Sequence, residues 1–221
     1  MRDRPLRFFM AAFILISLIS IGPVMAQPDP PGGLQAVSME NGQIQLSWNA
    51  VAGATKYQIY QSTIDSIPGA FHKEVTNTSV ILTIGGDSLA NGVKWYFWVK
   101  TVENTEISDP TSSVNAVCDA SPPLAVTLSS PLNGSYVIVN TPTLDWDATT
   151  DNSSIGDGQS TGVSHYELQI STASDFSPGV TDTFNNINTT KYTTNPLPNS
   201  TYYWRVRAHD NAGNALDWTS P

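Results

Sequence analysis

The sequence predicts an all-β protein: two tandem antiparallel β-sandwiches after an N-terminal signal peptide. Three observations carry this. Thr, Ser, Asn, Val, Tyr and Trp are abundant, Gly and Pro supply 15 residues each, and long helix-forming runs are scarce. Short alternating runs recur between turn residues. Three stretches also occur twice, in the same order, at a spacing of about 100 residues, which marks tandem domains rather than solenoid repeats.

The chain opens with "MRDRPLR", a cationic start, and continues into "FFMAAFILISLISI", a 14-residue apolar run at 8–21. "GPVMA" then places Val24 and Ala26 at the small-residue positions of a cleavage site. The apolar run is short for a bilayer span, which needs about 20 residues. Residues 1–26 are therefore assigned to a signal peptide, with an uncleaved anchor as the alternative, and no membrane insertion is expected if it is cleaved. The expected location is secreted or cell-surface.

Two proline clusters punctuate the rest. "QPDPPGG" at 27–33 is an entry segment, and "CDASPPLA" at 118–125 separates two units. The boundaries predicted are 34–118 for the first domain, 119–123 for a Pro-rich linker and 124–221 for the second domain. The repeated stretches pair "IQLSWNA" (44–50) with "PTLDWDA" (142–148), "KYQIYQST" (56–63) with "HYELQIST" (165–172), and "KWYFWVKTVEN" (94–104) with "TYYWRVRAHDN" (201–211). In the first unit strands are predicted at 34–39, 43–48, 56–62, 71–75, 79–84, 94–102 and 111–117. In the second they fall at 125–129, 143–146, 165–171, 180–185, 191–193 and 202–210, with a partial candidate at 215–218. The last strand of the second unit is due where "NALDWTSP" stops, so the sequence predicts a fragment, or a sheet completed by another segment.

Both units resemble fibronectin type III domains, of the immunoglobulin-like class. The marks are Trp48 and Trp146 closing the second strand, and Tyr57 and Tyr166 opening the third. They continue in the run Leu197, Tyr202, Trp204, Val206, Ala208 and its counterpart Leu89, Trp95, Phe97, Val99, Thr101. Trp95 departs from the family's Tyr, which implies a missing or altered corner hydroxyl bond in the first domain. The resemblance implies a secreted or cell-surface protein, as in bacterial repeats that hold other domains apart or bind surfaces. No Arg-Gly-Asp tripeptide is present.

Strand alternation sorts the loudest stretch, "TYYWRVRAHDNAGN" at 201–214, into two faces. Tyr202, Trp204, Val206 and Ala208 belong to the core; Tyr203, Arg205, Arg207 and His209 face outward, with Glu167 a cross-strand partner for the arginines. Aromatic and basic residues thus lie on opposite sides of one sheet, which is no platform for bases. Charge agrees. The net charge is −9, and without residues 1–26 it becomes −11, with 7 cations against 18 anions. Such a chain repels phosphate backbones, so nucleic acid is excluded as a partner.

In the first domain the outward positions are aromatic. Tyr60, Tyr96 and Trp98 are predicted to share one exposed face, a candidate for contact with carbohydrate or with another extracellular domain or protein. The competing reading is that a loop or neighbouring domain covers them, or that they only strengthen cross-strand packing. In the second domain, the loop at 147–162 carries Asp147, Asp151 and Asp157, near a loop with Asp210, Asn211 and Asn214. Hard oxygen ligands of this kind suit Ca²⁺, but the spacing matches no EF-hand and such residues also belong in turns. No metal or cofactor is assigned from sequence.

The three histidines (His72, His165, His209) are far apart in sequence, and no nucleophile elbow, zinc motif or phosphate loop is present. Cys118 is the sole cysteine, expected to be half-buried or solvent-tolerant, or else to form an intermolecular bridge. Five Asn-x-Ser/Thr sequons begin at Asn77, Asn133, Asn152, Asn188 and Asn199. The function predicted is a non-catalytic extracellular spacer or interaction module. The alternative is an accessory region of a larger exported enzyme, such as a polysaccharide-active hydrolase.

Overall fold

A computed structural model describes residues 26–66, 68–152, 158–178 and 181–221. Residues 1–25 of the predicted signal peptide, and Asp157, lie outside the described residues. The first unit contains β1 (Gln35–Met39), β2 (Gln43–Ser47), β3 (Lys56–Ser62), β4 (Ala70–Val75), β5 (Ser79–Leu82), β6 (Val93–Glu103), β7 (Glu106–Ile107) and β8 (Val114–Cys118). The second contains β9 (Leu128–Ser130), β10 (Thr143–Trp146), β11 (Val163–Ser171), β12 (Thr181–Ile187), β13 (Lys191–Thr193) and β14 (Tyr203–Asp210).

Each unit is a pair of antiparallel sheets. In the first, β1-β2-β5 faces β4-β3-β6, with β7 and β8 both pairing β6. In the second, β9-β10-β13 faces β12-β11-β14. Alternate residues fill the space between: Ile44, Leu46, Trp48, Tyr57, Ile59, Phe97 and Val99 in one core, and Leu144, Trp146, Tyr166, Leu168, Val206 and Ala208 in the other. The period-2 pattern of each strand therefore dictates which face is buried. The two repeated Trp–Tyr pairs pack edge-on, with ring centroids 5.4 Å apart for Trp48–Tyr57 and 5.6 Å for Trp146–Tyr166.

The strand expected at 111–117 is shorter than predicted and begins at Val114. The residues before it return along β6 as an extended segment, tied at Val99 by the Thr111 N–H (3.0 Å) and by Thr111 Oγ1 accepting from Val99 N–H (3.1 Å). The second unit repeats this: the Thr219 N–H donates to Val206 O, and Thr219 Oγ1 accepts from Val206 N–H, both at 3.0 Å. The partial strand expected at 215–218 is therefore a return segment, with a single bridge between His209 and Ala215. Among the described residues, no strand takes the place on β14 that β8 takes on β6.

The linker is built into both units. Ala120 N–H donates to Asn91 Oδ1, and Pro123 bridges Asp151. Gly92 stands at φ +74°, donates to Cys118 O and accepts from Gln159 N–H of the second unit at 2.7 Å. A Cβ there would come within 3.3 Å of Gly158 Cα, so glycine permits this close approach. Cys118 is fully buried rather than half-exposed, and its Sγ donates to Gly42 O. Burial, reinforced by the Asp119 charge, pushes its thiol up to about 11. It is an inert core residue, closed to intermolecular bridging.

Candidate functional site

The outer face of β3 and β6 is where sequence placed the aromatic surface. Cross-strand register pairs Tyr60 with Trp98 and Ser62 with Tyr96, so the three rings do lie on one side of the sheet. Exposure divides them. Tyr60 and Tyr96 are half-buried, but Trp98 is only 1 % exposed and cannot contact a partner. Its neighbours are β3 on one flank and the return segment tied at Val99 on the other. Trp98 is thus a packing residue, a correction to the predicted face.

Phe71, which sequence reasoning passed over, belongs to that face. It sits opposite Tyr60 on β4, past an irregularity in the register, and packs edge-on against it with centroids 5.7 Å apart. It is 55 % exposed. Lys100 Nζ stands 5.3 Å from the Tyr60 centroid, and the Tyr60 hydroxyl donates to Gln58 Oε1 at 3.0 Å. The surface is a small amphipathic patch of flat rings with polar edges. The shift in register between Ile59 and Tyr60 is what a strict alternation count misses.

In the second unit the arginines are paired as expected and also capped. Arg207 Nε donates to Glu167 at 2.6 Å, and Arg205 Nε to Gln169 Oε1 at 2.8 Å. Arg205 lies 4.0 Å from the Phe176 centroid, and Trp218 lies 4.8 Å from Arg205 and 4.5 Å from Arg207. The histidines meet despite their separation in sequence: His165 and His209 stack with centroids 4.7 Å apart, and His209 Nε2 is 3.1 Å from Glu167. Burial first, then the His209 charge, hold His165 below its usual value. On the first unit, buried Asp87 receives His72 Nε2 at 2.8 Å, Lys73, and the Thr83 N–H. The cluster joins β4 to the 83–87 turn, the local role such ion pairs usually have.

The acidic residues regroup. Asp147 leaves the predicted cluster, since its carboxylate accepts from Ser129 Oγ on an exposed surface. Asp151 and Asp210 remain, and Asp119 of the linker joins them. One oxygen from each of the three lies within 4.8 Å of the others. Asp119 and Asp210 are 1 % and 2 % exposed. Asp119 escaped the sequence reading because it was counted as linker. A second omission is the loop after β9, where Tyr136 and Ile138 are fully exposed beside Leu132, Val137 and Val139.

With both sandwiches described, likeness to solved structures decides the architecture. The FN1–FN3 domains of chicken CNTN1 superpose with a TM-score of 0.53 at 15 % identity, covering 88 % of this chain and 67 % of that one. The chain has the tandem fibronectin type III fold. Residues 128–221 match the family described as Rha78A-like, N-terminal immunoglobulin domain. An amylopullulanase of Thermoanaerobacter thermohydrosulfuricus is 34 % identical over 95 residues, 43 % of this chain and 6 % of that enzyme. An amylopullulanase of Thermoanaerobacterium saccharolyticum is 29 % identical over 94 residues, 42 % of this chain and 7 % of the enzyme. The chain thus spans a small fraction of these relatives' length. The fibronectin type III corner bond forms in the second domain, where the Tyr202 hydroxyl donates to Pro198 O at 3.1 Å. In the first domain Trp95 replaces that Tyr, and its Nε1 is buried without a partner among the described residues.

Proposed function

We propose that this chain is a non-catalytic spacer and interaction module of an exported protein, holding two fibronectin type III sandwiches in one fixed orientation. The observation that carries the reading is the bonded junction. Asn214 of the second domain accepts from Asn41 N–H at 2.8 Å and donates to Asp119 O at 3.0 Å, while Gln159 N–H donates to Gly92 O. A spacer needs a stiff joint, and several backbone-directed hydrogen bonds across a short linker supply one. The half-exposed rings Tyr60 and Tyr96, with Phe71, supply a contact surface for a protein domain or carbohydrate. Small-angle scattering of the purified chain is expected to fit one interdomain orientation. A profile that only a broad ensemble of orientations reproduces would sink the spacer reading.

The likeness to amylopullulanases favours a second reading, an accessory region of a larger polysaccharide-active enzyme. It makes a separate prediction: the chain is retarded in native gels containing α-glucan, and Phe71→Ala reduces that retardation. Equal mobility with and without glucan would leave the patch to protein contacts. Export is tested by sequencing the N-terminus of secreted material, which is expected to begin at Gln27.

A further inference from the structure

We infer that Asp119, Asp151 and Asp210 form a Ca²⁺ site that locks the two sandwiches together. The geometry fits. Oxygens bound to one Ca²⁺ at about 2.3–2.6 Å lie no more than about 5 Å apart, and the three carboxylates come within 4.8 Å of one another. The three arrive from separate parts of the fold: Asp119 just after β8, Asp151 in the loop after β10, and Asp210 at the end of β14.

Their surroundings set them apart from an ordinary acidic surface. Asp119 and Asp210 are almost wholly buried, and among the described residues no Lys, Arg or His pairs with any of the three. The groups that touch them are neutral donors. Thr161 gives its N–H and hydroxyl to Asp119 Oδ2 at 2.7 and 2.8 Å, and the Ser121 N–H approaches Oδ1 at 3.1 Å. Asn214 gives its N–H and Nδ2 to Asp210 at 2.8 and 2.7 Å, and the Gly162 N–H donates to Asp151 Oδ2 at 2.7 Å. These bonds orient the carboxylates without cancelling their charge.

One atom is left over. Asp151 Oδ1 is shut off from solvent, and no donor among the described residues reaches it in hydrogen-bonding geometry. Asp151 is part-buried, but a carboxylate oxygen closed to solvent and without a partner among the described residues, beside the buried carboxylates of Asp119 and Asp210, calls for a cation or a proton. Burial, with the Asp119 and Asp210 charges acting in the same direction, holds the Asp151 carboxyl above its usual value; Asp210 is raised as well, again by burial first. An all-oxygen, anionic donor set selects a hard ion, and the irregular loop framework suits Ca²⁺ better than the strict octahedron of Mg²⁺. Cys118, next in sequence to Asp119, takes no part, because its thiol bonds Gly42 O.

The site goes beyond the spacer reading, and its test is separate from the scattering experiment. The full chain is stripped with EDTA and titrated calorimetrically with CaCl2, with melting followed in EDTA and in 5 mM CaCl2. We expect one Ca²⁺ per chain, with Kd on the order of 10⁻⁴–10⁻³ M, as in extracellular modules, or tighter, and a higher Tm in CaCl2. Asp151→Asn is expected to weaken binding at least tenfold while melting no lower than the unmutated chain in EDTA, because it removes a repelling charge. Asp147→Asn, in the same loop but outside the trio, is expected to bind as before. Absence of both binding and Tm shift in the unmutated chain overturns the proposal, and this outcome needs no variant. So does unchanged affinity in Asp151→Asn, or an equal loss in Asp147→Asn.

Discussion

β6 of the first sandwich and β14 of the second occupy the same place, yet they close their outer faces with opposite parts. In the first, the strand supplies the large ring, Trp98, which is 1 % exposed beside a return segment carrying Pro110. In the second, the strand supplies cations, Arg205 and Arg207, and the return segment supplies the ring, Trp218. The tie between strand and segment is the same in both: Thr111 to Val99 and Thr219 to Val206. Near that tie the outward side chains are packed in each domain, Trp98 by burial and the arginines under Trp218. What varies is which element carries the aromatic side.

The largest test of that comparison is Trp98→Ala. Removing a fully buried Trp should cost about 3–5 kcal/mol, read as a lower midpoint in urea with the slope retained. A loss below about 0.5 kcal/mol, typical of a surface position, would return Trp98 to the exposed face that the sequence predicts. Trp218→Ala should cost less, about 1–2 kcal/mol, since cation–π contacts range from about 0.5 kcal/mol when exposed to 2 kcal/mol when desolvated. Equal losses at the two sites would erase the distinction drawn here.

Much of this was legible beforehand, for reasons that can be named. Strand alternation gave the core because Tyr57, Ile59, Phe97 and Val99 obey period 2 against a buried face, and it gave the Arg207–Glu167 pair through register. It failed at Trp98, which is 1 % exposed, because alternation assigns a side chain to one of two sides of its strand and says nothing of what packs against that side. It passed over Phe71 because the register shifts between Ile59 and Tyr60. It split the acidic trio because Asp119 reaches Asp151 and Asp210 only through the fold of the linker. No local pattern encodes a contact made across a domain boundary.

Each domain also holds one acid, Asp87 or Glu167, among cationic side chains, and pH tests that shared device. For Asp87, burial alone would raise the carboxyl, but hydrogen bonds from Lys73, His72 and the Thr83 N–H outweigh it and hold it low. Glu167 repeats the pattern, with burial opposed by Arg207 and His209. Each folded pKa is depressed. The stability it contributes is present above the unfolded value, about 4, and is lost as pH falls through the folded value. Melting temperature should therefore drop on acidification below about pH 4, and Asp87→Asn and Glu167→Gln should each flatten that decline. An unchanged acid limb in both variants would show that neither ion cluster is linked to folding.

The smallest effects should appear at the corner, where the domains differ by one residue. The Tyr202 hydroxyl has a partner, Pro198 O, at an exposed site. Its loss in Tyr202→Phe should cost about 0.5–1.5 kcal/mol, toward the lower end because water replaces the bond. Trp95 presents the opposite case: its Nε1 is buried and unsatisfied among the described residues, so the folded state already carries that desolvation penalty. Trp95→Phe removes the orphan donor but also trims ring volume from a packed site. The two effects have opposite sign, and the net change should be smaller than the 3–5 kcal/mol of a Trp truncated to Ala. If Trp95→Phe were as damaging as Trp98→Ala, then Nε1 must have a partner in solution, and the first domain would have its own version of the corner bond.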